Sequence, residues 1–318
     1  MTRRRIAGRD QREETGEEAR ARFIEVGDKP RQGSDAAGRS KRLAPGLYIV
    51  STPIGNARDI TLRALDVLGR ADLVACEDTR VTTKLLAIHG LGAPLTAYHD
   101  HNARKVRPGL LKRLAEGAAI ALVSDAGTPL VSDPGYKLVA EAAAAGIAVF
   151  TVPGATAPIA ALTVAGLPTD RALFAGFLPP RRPARLTALA ELAEAPATLV
   201  FFEAPRRLAA ALDDMTQALG NRPAAVAREL TKRFEETRRG TLAELAAHYH
   251  AEGPPKGEVV VVIGPPEKRA VTPEAIDDLL ADALASQSVR DAAAAVAAAT
   301  GAPRRTVYAR ALKLARDR

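Results

Sequence analysis

Leu122-Val123-Ser124-Asp125-Ala126-Gly127-Thr128-Pro129-Leu130-Val131-Ser132-Asp133-Pro134-Gly135 lies between an apolar run at 118–123 and a helical pattern at 136–145. The run has the makings of a buried strand, so the segment is a long turn at the carboxyl end of a parallel strand. Open α/β sheets bind their ligands there. The turn holds Gly127, Pro129, Pro134 and Gly135 and two carboxylates, Asp125 and Asp133, but no Lys or Arg. A phosphate cradle would set backbone amides beside a cation. This turn suits a ligand that carries positive charge or ribose hydroxyls.

Outward from it, the same alternation recurs. Strands are expected at 47–50, 73–76, 96–98, 118–123 and 147–152, with helices at 60–68, 82–89, 110–116 and 136–145 between them. That pattern is a parallel sheet covered on both faces. A helix at 157–165 ends at Gly166, and Pro168 bars its continuation. A second α/β set follows, with strands at 173–177, 198–203, 224–228 and 258–263 and helices at 186–194, 206–219 and 242–250. Residues 265–273 form a linker. Helical patterns at 274–285, 289–299 and 304–315 close the chain, with Gly301 and Pro303 giving the last two a helix–turn–helix outline. Residues 1–44, of mixed charge and with few large apolar side chains, are expected to be a disordered tail. The domains are then 45–156, 157–266 and a helical appendage at 272–318.

Composition bounds the function. The chain has 318 residues, enough for two cores and an appendage, and 47% of them are hydrophobic. No apolar run approaches a bilayer span, so no membrane association is expected. The single cysteine, Cys76, fits a reducing cytoplasm. Arg3, Arg4 and Arg5 are followed by no apolar stretch, and Glu13, Glu14, Glu17 and Glu18 argue against a transit peptide. A formal net charge of +8 points to a polyanionic partner or a generally basic surface. Aromatic content of 4% and the absence of Trp argue against a single-strand stacking platform.

Other strand ends carry chemistry too. Thr52-Pro53-Ile54-Gly55-Asn56 follows the first strand and precedes a helix capped by Asp59, but it is no G-x-G-x-x-G fingerprint. Cys76-Glu77-Asp78-Thr79-Arg80 sets two acids and an arginine at the second strand's end, with Asp78 equally able to be a helix N-cap. Tyr98-His99-Asp100-His101-Asn102 offers two imidazoles for polar contact or general-base work. A metal would need further ligands at suitable spacing, so no metal site is expected. Val152-Pro153-Gly154-Ala155-Thr156-Ala157-Pro158 opens a helix of small residues, suited to close approach of a ligand or to tight packing. The second half repeats the scheme at Phe202-Glu203-Ala204-Pro205-Arg206-Arg207 and at Ala227-Arg228-Glu229-Leu230-Thr231-Lys232. Such ends converging would line a cleft between two domains. On the last helix, Arg304, Arg305, Tyr308, Arg310 and Lys313 make either a nucleic-acid grip or a solvated face.

Together these motifs resemble the tetrapyrrole-methylase-like superfamily, and within it the branch that modifies small-subunit ribosomal RNA. The resemblance is carried by 47–56, 77–80, 99–102, 122–135, 152–167, 176–179, 202–208, 227–232 and 256–260, and runs from about 47 to 312. Thr-Pro-Ile-Gly-Asn stands where many corrinoid methylases have a Gly-x-Gly-Pro-Gly type of turn, which favours the ribosomal branch. The resemblance implies a class III methyltransferase of tetrapyrrole-methylase fold: two α/β domains with a cofactor cleft between them and a small C-terminal helical domain. It implies S-adenosylmethionine as cofactor and a homodimer. The substrate would be a cytidine ribose in the decoding region of 16S ribosomal RNA, methylated at its 2′-oxygen in free RNA or in the assembled 30S subunit. Cofactor contacts carried over are Pro53, Gly55, Asp125, Gly127, Thr128, Pro129, Ala157, Pro158, Phe177, Ala227 and Gly257. Candidate bases are Asp78, His99 and His101, with Glu77 and Glu203 less favoured. Arg80, Arg206, Arg207, Arg228 and Lys232 would hold phosphates, with Arg304, Arg305 and Arg310 as a second RNA grip.

Three other functions compete. A methylase of a small tetrapyrrole or corrinoid precursor needs no basic appendage. A non-catalytic RNA-binding or assembly protein would bind RNA but no methyl donor. A nicotinamide dehydrogenase is weakened by the missing glycine fingerprint.

Overall fold

The computed structural model describes residues 42–267 and 272–316. The expected tail before residue 42 and the middle of the expected linker, 268–271, lie outside the described residues. Strands β1 (Gly46–Val50), β2 (Leu73–Cys76), β3 (Leu95–Ala97), β4 (Ala119–Val123) and β5 (Val149–Val152) form one sheet in the order β3-β2-β4-β1-β5. Every pairing in it is parallel. β2 and β4 are buried along their whole length, because helices cover a parallel sheet on both faces and so select unbroken apolar runs. The helices are α1 (Leu62–Leu68), α2 (Thr79–Ile88), α3 (Ala103–Ala115) and α4 (Tyr136–Ala144).

Among the helices of this first sheet, starts depart from the sequence expectation in three places. Asp59 does not cap α1; it ends a short 3-10 turn, and the Thr61 side chain accepts from Ala64 N instead. α2 begins three residues earlier than its apolar periodicity, capped by Asp78. α3 begins seven residues earlier, because Pro108 stands inside it and interrupts the pattern without ending the helix.

After α5 (Ala157–Ala165) comes a second sheet of β6 (Ala172–Phe177), β7 (Thr198–Glu203), β8 (Pro223–Arg228), β9 (Glu236–Thr241) and β10 (Val259–Ile263), ordered β6-β7-β10-β8-β9. This sheet is mixed. β6 is parallel to β7, while β10 runs antiparallel to β7 and β8, and β9 antiparallel to β8. α6 (Arg182–Glu191), α7 (Leu208–Leu219) and α8 (Leu242–Glu252) pack on it, with Leu189, Leu208, Leu212 and Met215 fully buried beneath. α5 packs on its other face. Ala161 and Ala165 are buried against Val200, Ala225, Val260 and Val262, so the small residues of this helix serve close packing. Ile54, from the first half, belongs to the same cluster.

The chain ends in α9 (Pro273–Ala283), α10 (Val289–Thr300) and α11 (Arg304–Arg316), with Gly301 in the left-handed region between the last two. Ile276, Leu280, Ala293, Val296, Val307 and Ala311 form a core of their own. No helix among the described residues is long and apolar enough to cross a membrane.

Candidate active site

Because β1 lies between β4 and β5, the loops leaving these three strands stand side by side. They are stitched together. Thr52 N donates to Gly127 O at 2.8 Å, and Gly127 N returns the bond to Thr52 O at 3.2 Å. The Ser51 and Thr128 hydroxyls are 2.9 Å apart, and Thr128 Oγ1 donates to Ala155 O at 3.2 Å. Beyond this seam the chain passes through positive φ at Gly127, Leu130, Ser132 and Gly135. Two of those residues are not glycine, a strain that persists only where the surroundings over-determine the backbone.

The seam forms one wall of a cavity of about 450 Å³. Asp125, Gly127, Thr128, Val131 and Asp133 come from the opening loop, Glu77 from the end of β2, and Ala157 and Pro158 from the start of α5. The second sheet closes it with Phe177, Phe202, Glu203, Ala227 and Val260, and with Gly257 just before β10. Eight of the eleven cofactor residues carried over from the family thus meet in one cavity: Asp125, Gly127, Thr128, Ala157, Pro158, Phe177, Ala227 and Gly257. Pro53 and Gly55 line a neighbouring depression, and Pro129 is buried and lines neither. Gly55 answers to another constraint: a Cβ there would stand 2.4 Å from Lys232 Cγ and 3.0 Å from Leu230 O. It lets the loop after β1 touch the loop after β8.

Among the described residues lining the cavity, none is Lys, Arg or His and five are acidic: Glu77, Asp125 and Asp133, with Glu203 and Glu258, which pair with Arg207 and Lys232. Burial raises the Glu77 carboxyl above the ordinary range, with Asp125 and Asp133 adding to the effect. Burial raises Asp133 too, opposed by a hydrogen bond with Ser124 and reinforced by the repulsion of Asp125 and Asp100. Ionising these groups therefore costs the folded state. The stability that the raised Glu77 contributes is complete below its unfolded pKa and is lost as pH rises through the folded one. Glu77→Gln is expected to raise the thermal midpoint of the ligand-free chain at pH 7.5, and the gain over the parent should shrink at pH 4. Scanning calorimetry at the two pH values checks this.

The three candidate bases stand elsewhere. Asp78 caps α2, accepting from Arg80 N at 2.8 Å, and its carboxylate also takes Arg80 Nε at 3.0 Å. These bonds pull its pKa down to about 2, which makes it a poor proton acceptor. His99 and His101, ring centroids 6.0 Å apart, sit on the β3–α3 loop outside the cavity lining. His99 Nδ1 is buried and has no hydrogen-bond partner among the described residues. Glu203 lines the cavity but is paired with Arg207 at 2.7 Å.

Several cations expected to hold phosphates are instead engaged within the chain. Arg80 holds Asp78, and Arg228 Nε meets Glu236 at 2.9 Å. Lys232 bridges Glu229 and Glu258 at 2.8 and 3.0 Å. Arg310 joins α11 to α9 through Asp277, with Nε 2.7 Å from the carboxylate. Arg206, Arg304 and Arg305 are exposed. Spacing along the sequence did not reveal these pairings, since Arg310 and Asp277 lie 33 positions apart. Asp133, by contrast, stood in the opening stretch without a role. Only the fold shows that it shares the cavity with Asp125.

A parallel sheet and a mixed sheet that close on an acidic, cation-free cavity define a two-domain α/β protein built for a neutral or positively charged ligand. Residues 46–246 match the family described as Tetrapyrrole (Corrin/Porphyrin) Methylases, and residues 270–315 match the RsmI C-terminal HTH domain. The chain belongs to the tetrapyrrole methylase family. It is 54% identical over 276 residues to the ribosomal RNA small subunit methyltransferase I of Mesorhizobium japonicum, covering 86% of this chain and 94% of that one. It is 52% identical over 272 residues to the protein of the same name from Erythrobacter litoralis, covering 86% and 96%. Among solved structures it resembles the cobalamin biosynthetic enzyme cobalt precorrin-4 methyltransferase. There the TM-score is 0.53 at 22% identity, over 69% of this chain and 94% of that one, a likeness of fold.

Proposed function

We propose that the chain transfers a methyl group from S-adenosylmethionine to small-subunit ribosomal RNA, at the 2′-oxygen of a cytidine ribose in the decoding region. The observation that carries this reading is the cavity itself: five acidic residues and no cation in its described lining, in a chain more than half identical to a ribosomal RNA methyltransferase over most of its length. The lining fits the donor. Asp125 and Glu77 suit a positively charged group and its polar neighbours. Phe177, Phe202 and Ile54 offer apolar surface for a flat base, and Gly127, Ala157 and Gly257 leave the backbone close to a ligand.

When bound, the donor supplies a methyl group activated by its positively charged sulfur. The residues of the chain bind, orient and exclude water. A 2′-hydroxyl is weakly acidic, so the site must align oxygen, methyl and sulfur and take up one proton. Exposed Arg304 and Arg305, at the start of α11, together with Arg206, are the cations we assign to RNA phosphates. The assembled 30S subunit or its RNA is the partner, in the cytoplasm. Val149, Phe150 and Ile159, large apolar groups left exposed on β5 and α5, support a homodimer. Calorimetric titration with S-adenosylhomocysteine tests the cofactor assignment: saturable binding that Asp125→Ala weakens about tenfold supports it. Heat from NAD and none from the nucleoside would reject it.

A further inference from the structure

A second depression, of about 510 Å³, opens beside the cavity between the β3–α3 loop and the start of α4. Its charged and aromatic lining differs from that of the cavity. Arg104 and Lys137 are exposed in it, and Tyr136 presents its ring to solvent with 73% of its surface exposed. Arg107 also lines it but is engaged by Glu141 at 2.9 Å, and exposed Asp100 adds a carboxylate at the β3–α3 loop. The turn that sets Tyr136 is tightly held: a Cβ on Gly135 would stand 2.9 Å from Leu122 Cδ2, at φ +136°. Asp133 lines both this depression and the cavity.

We propose that this depression receives the RNA nucleotide being methylated, with a base stacked on Tyr136, phosphates on Arg104 and Lys137, and Asp133 accepting the 2′-hydroxyl proton. The proposal rests on the methyltransferase reading above and adds a substrate subsite and a base to it. Proteins read single-stranded RNA by stacking unpaired bases on aromatic side chains and holding the backbone with cations. A chain with no Trp and five Tyr leaves one of those rings in the open here, in a depression that Arg104 and Lys137 also line. Among the lining residues, Asp133 alone is shared by this depression of mixed charge and the acidic cavity, so a ribose entering from one side meets the donor from the other. Burial and the neighbouring Asp125 and Asp100 raise the proton affinity of Asp133, as a base requires. In the step, the 2′-oxygen forms a bond to the methyl carbon, and the carbon–sulfur bond breaks with its electron pair going to sulfur. The hydroxyl proton passes to the Asp133 carboxylate, then to solvent.

The test uses the full chain with a short cytidine-containing single-stranded RNA, followed by fluorescence anisotropy, and with unmethylated 30S subunits, followed by methyl transfer. Tyr136→Ala should weaken RNA binding about tenfold, with Tyr136→Phe within about twofold of the parent. Joint Arg104→Ala and Lys137→Ala should flatten the salt dependence of binding. Asp133→Asn should lower kcat at least about 100-fold, leaving RNA and S-adenosylhomocysteine affinities within about threefold. RNA affinity untouched by the Tyr136 and cation variants would overturn the subsite, and Asp133→Asn retaining most of kcat would overturn the base. A parent protein that binds RNA but methylates none would instead reject the methyltransferase reading, and the anisotropy series would still decide the subsite.

Discussion

Asp214→Ala is expected to cost about 3–5 kcal/mol of folding stability, the range for stranding a buried charge. Asp214, on α7, is almost wholly buried and holds two arginines of α6. Its Oδ2 accepts from Arg185 Nε at 2.8 Å, and its Oδ1 from Arg182 Nε at 2.8 Å. Arg185 is itself 5% exposed, with only the Pro179 and Pro180 carbonyls as further acceptors. Removing Asp214 leaves a guanidinium in the core without a counter-charge. Replacing the pair together by Arg185→Met and Asp214→Leu should cost much less, because apolar groups of similar volume remove the desolvation penalty along with the attraction. Denaturant midpoints of the two variants check the contrast. A loss under about 1 kcal/mol for Asp214→Ala would show that water reaches Arg185.

The second large effect is expected at Gly257→Ala. Gly257 has φ +95°, and a Cβ there would stand 2.2 Å from Glu229 Oε1 and 2.5 Å from Glu229 Cγ. Glu229 cannot simply swing aside. Its carboxylate accepts from Lys232 Nζ at 2.8 Å and from Glu258 N at 3.1 Å, and its own backbone has φ +49°. The loop carrying Leu230 would have to move, and Leu230 lines the cavity. Affinity for S-adenosylhomocysteine should fall on the order of 100-fold. Gly253→Ala is the control, since φ is also positive there but nothing lies within 4 Å of its Cβ. It carries the backbone penalty without the collision, so its affinity should stay near that of the parent. Equal losses at the two positions would mean that the effect is general destabilisation and not the shape of the cavity.

The strands β2, β4, β7 and β10 were legible as apolar runs because both faces of each are covered. β9 was not. Glu-Thr-Arg-Arg-Gly-Thr is an edge strand held by its ladder to β8 and by ion pairs such as Glu236–Arg228, so it has no apolar period to detect. Its absence from the sequence reading also hid the mixed character of the second sheet. Of the site, what could be read was position: loops at strand ends gather at one edge of a parallel sheet. What could not be read was partnership. Asp78, Arg228, Lys232 and Arg310 look available in a string of letters, and in the fold each is engaged by an opposite charge. Nor does the sequence show that Asp133, eight positions after Asp125, lines a second depression as well as the acidic cavity.

The most direct test of the account is methyl transfer from S-adenosylmethionine labelled in its methyl group to unmethylated small ribosomal subunits. Label should enter a single nucleotide, a cytidine whose ribose resists alkaline cleavage on its 3′ side. Label in a base or in a corrinoid precursor, or no transfer to subunits and their RNA, would contradict it.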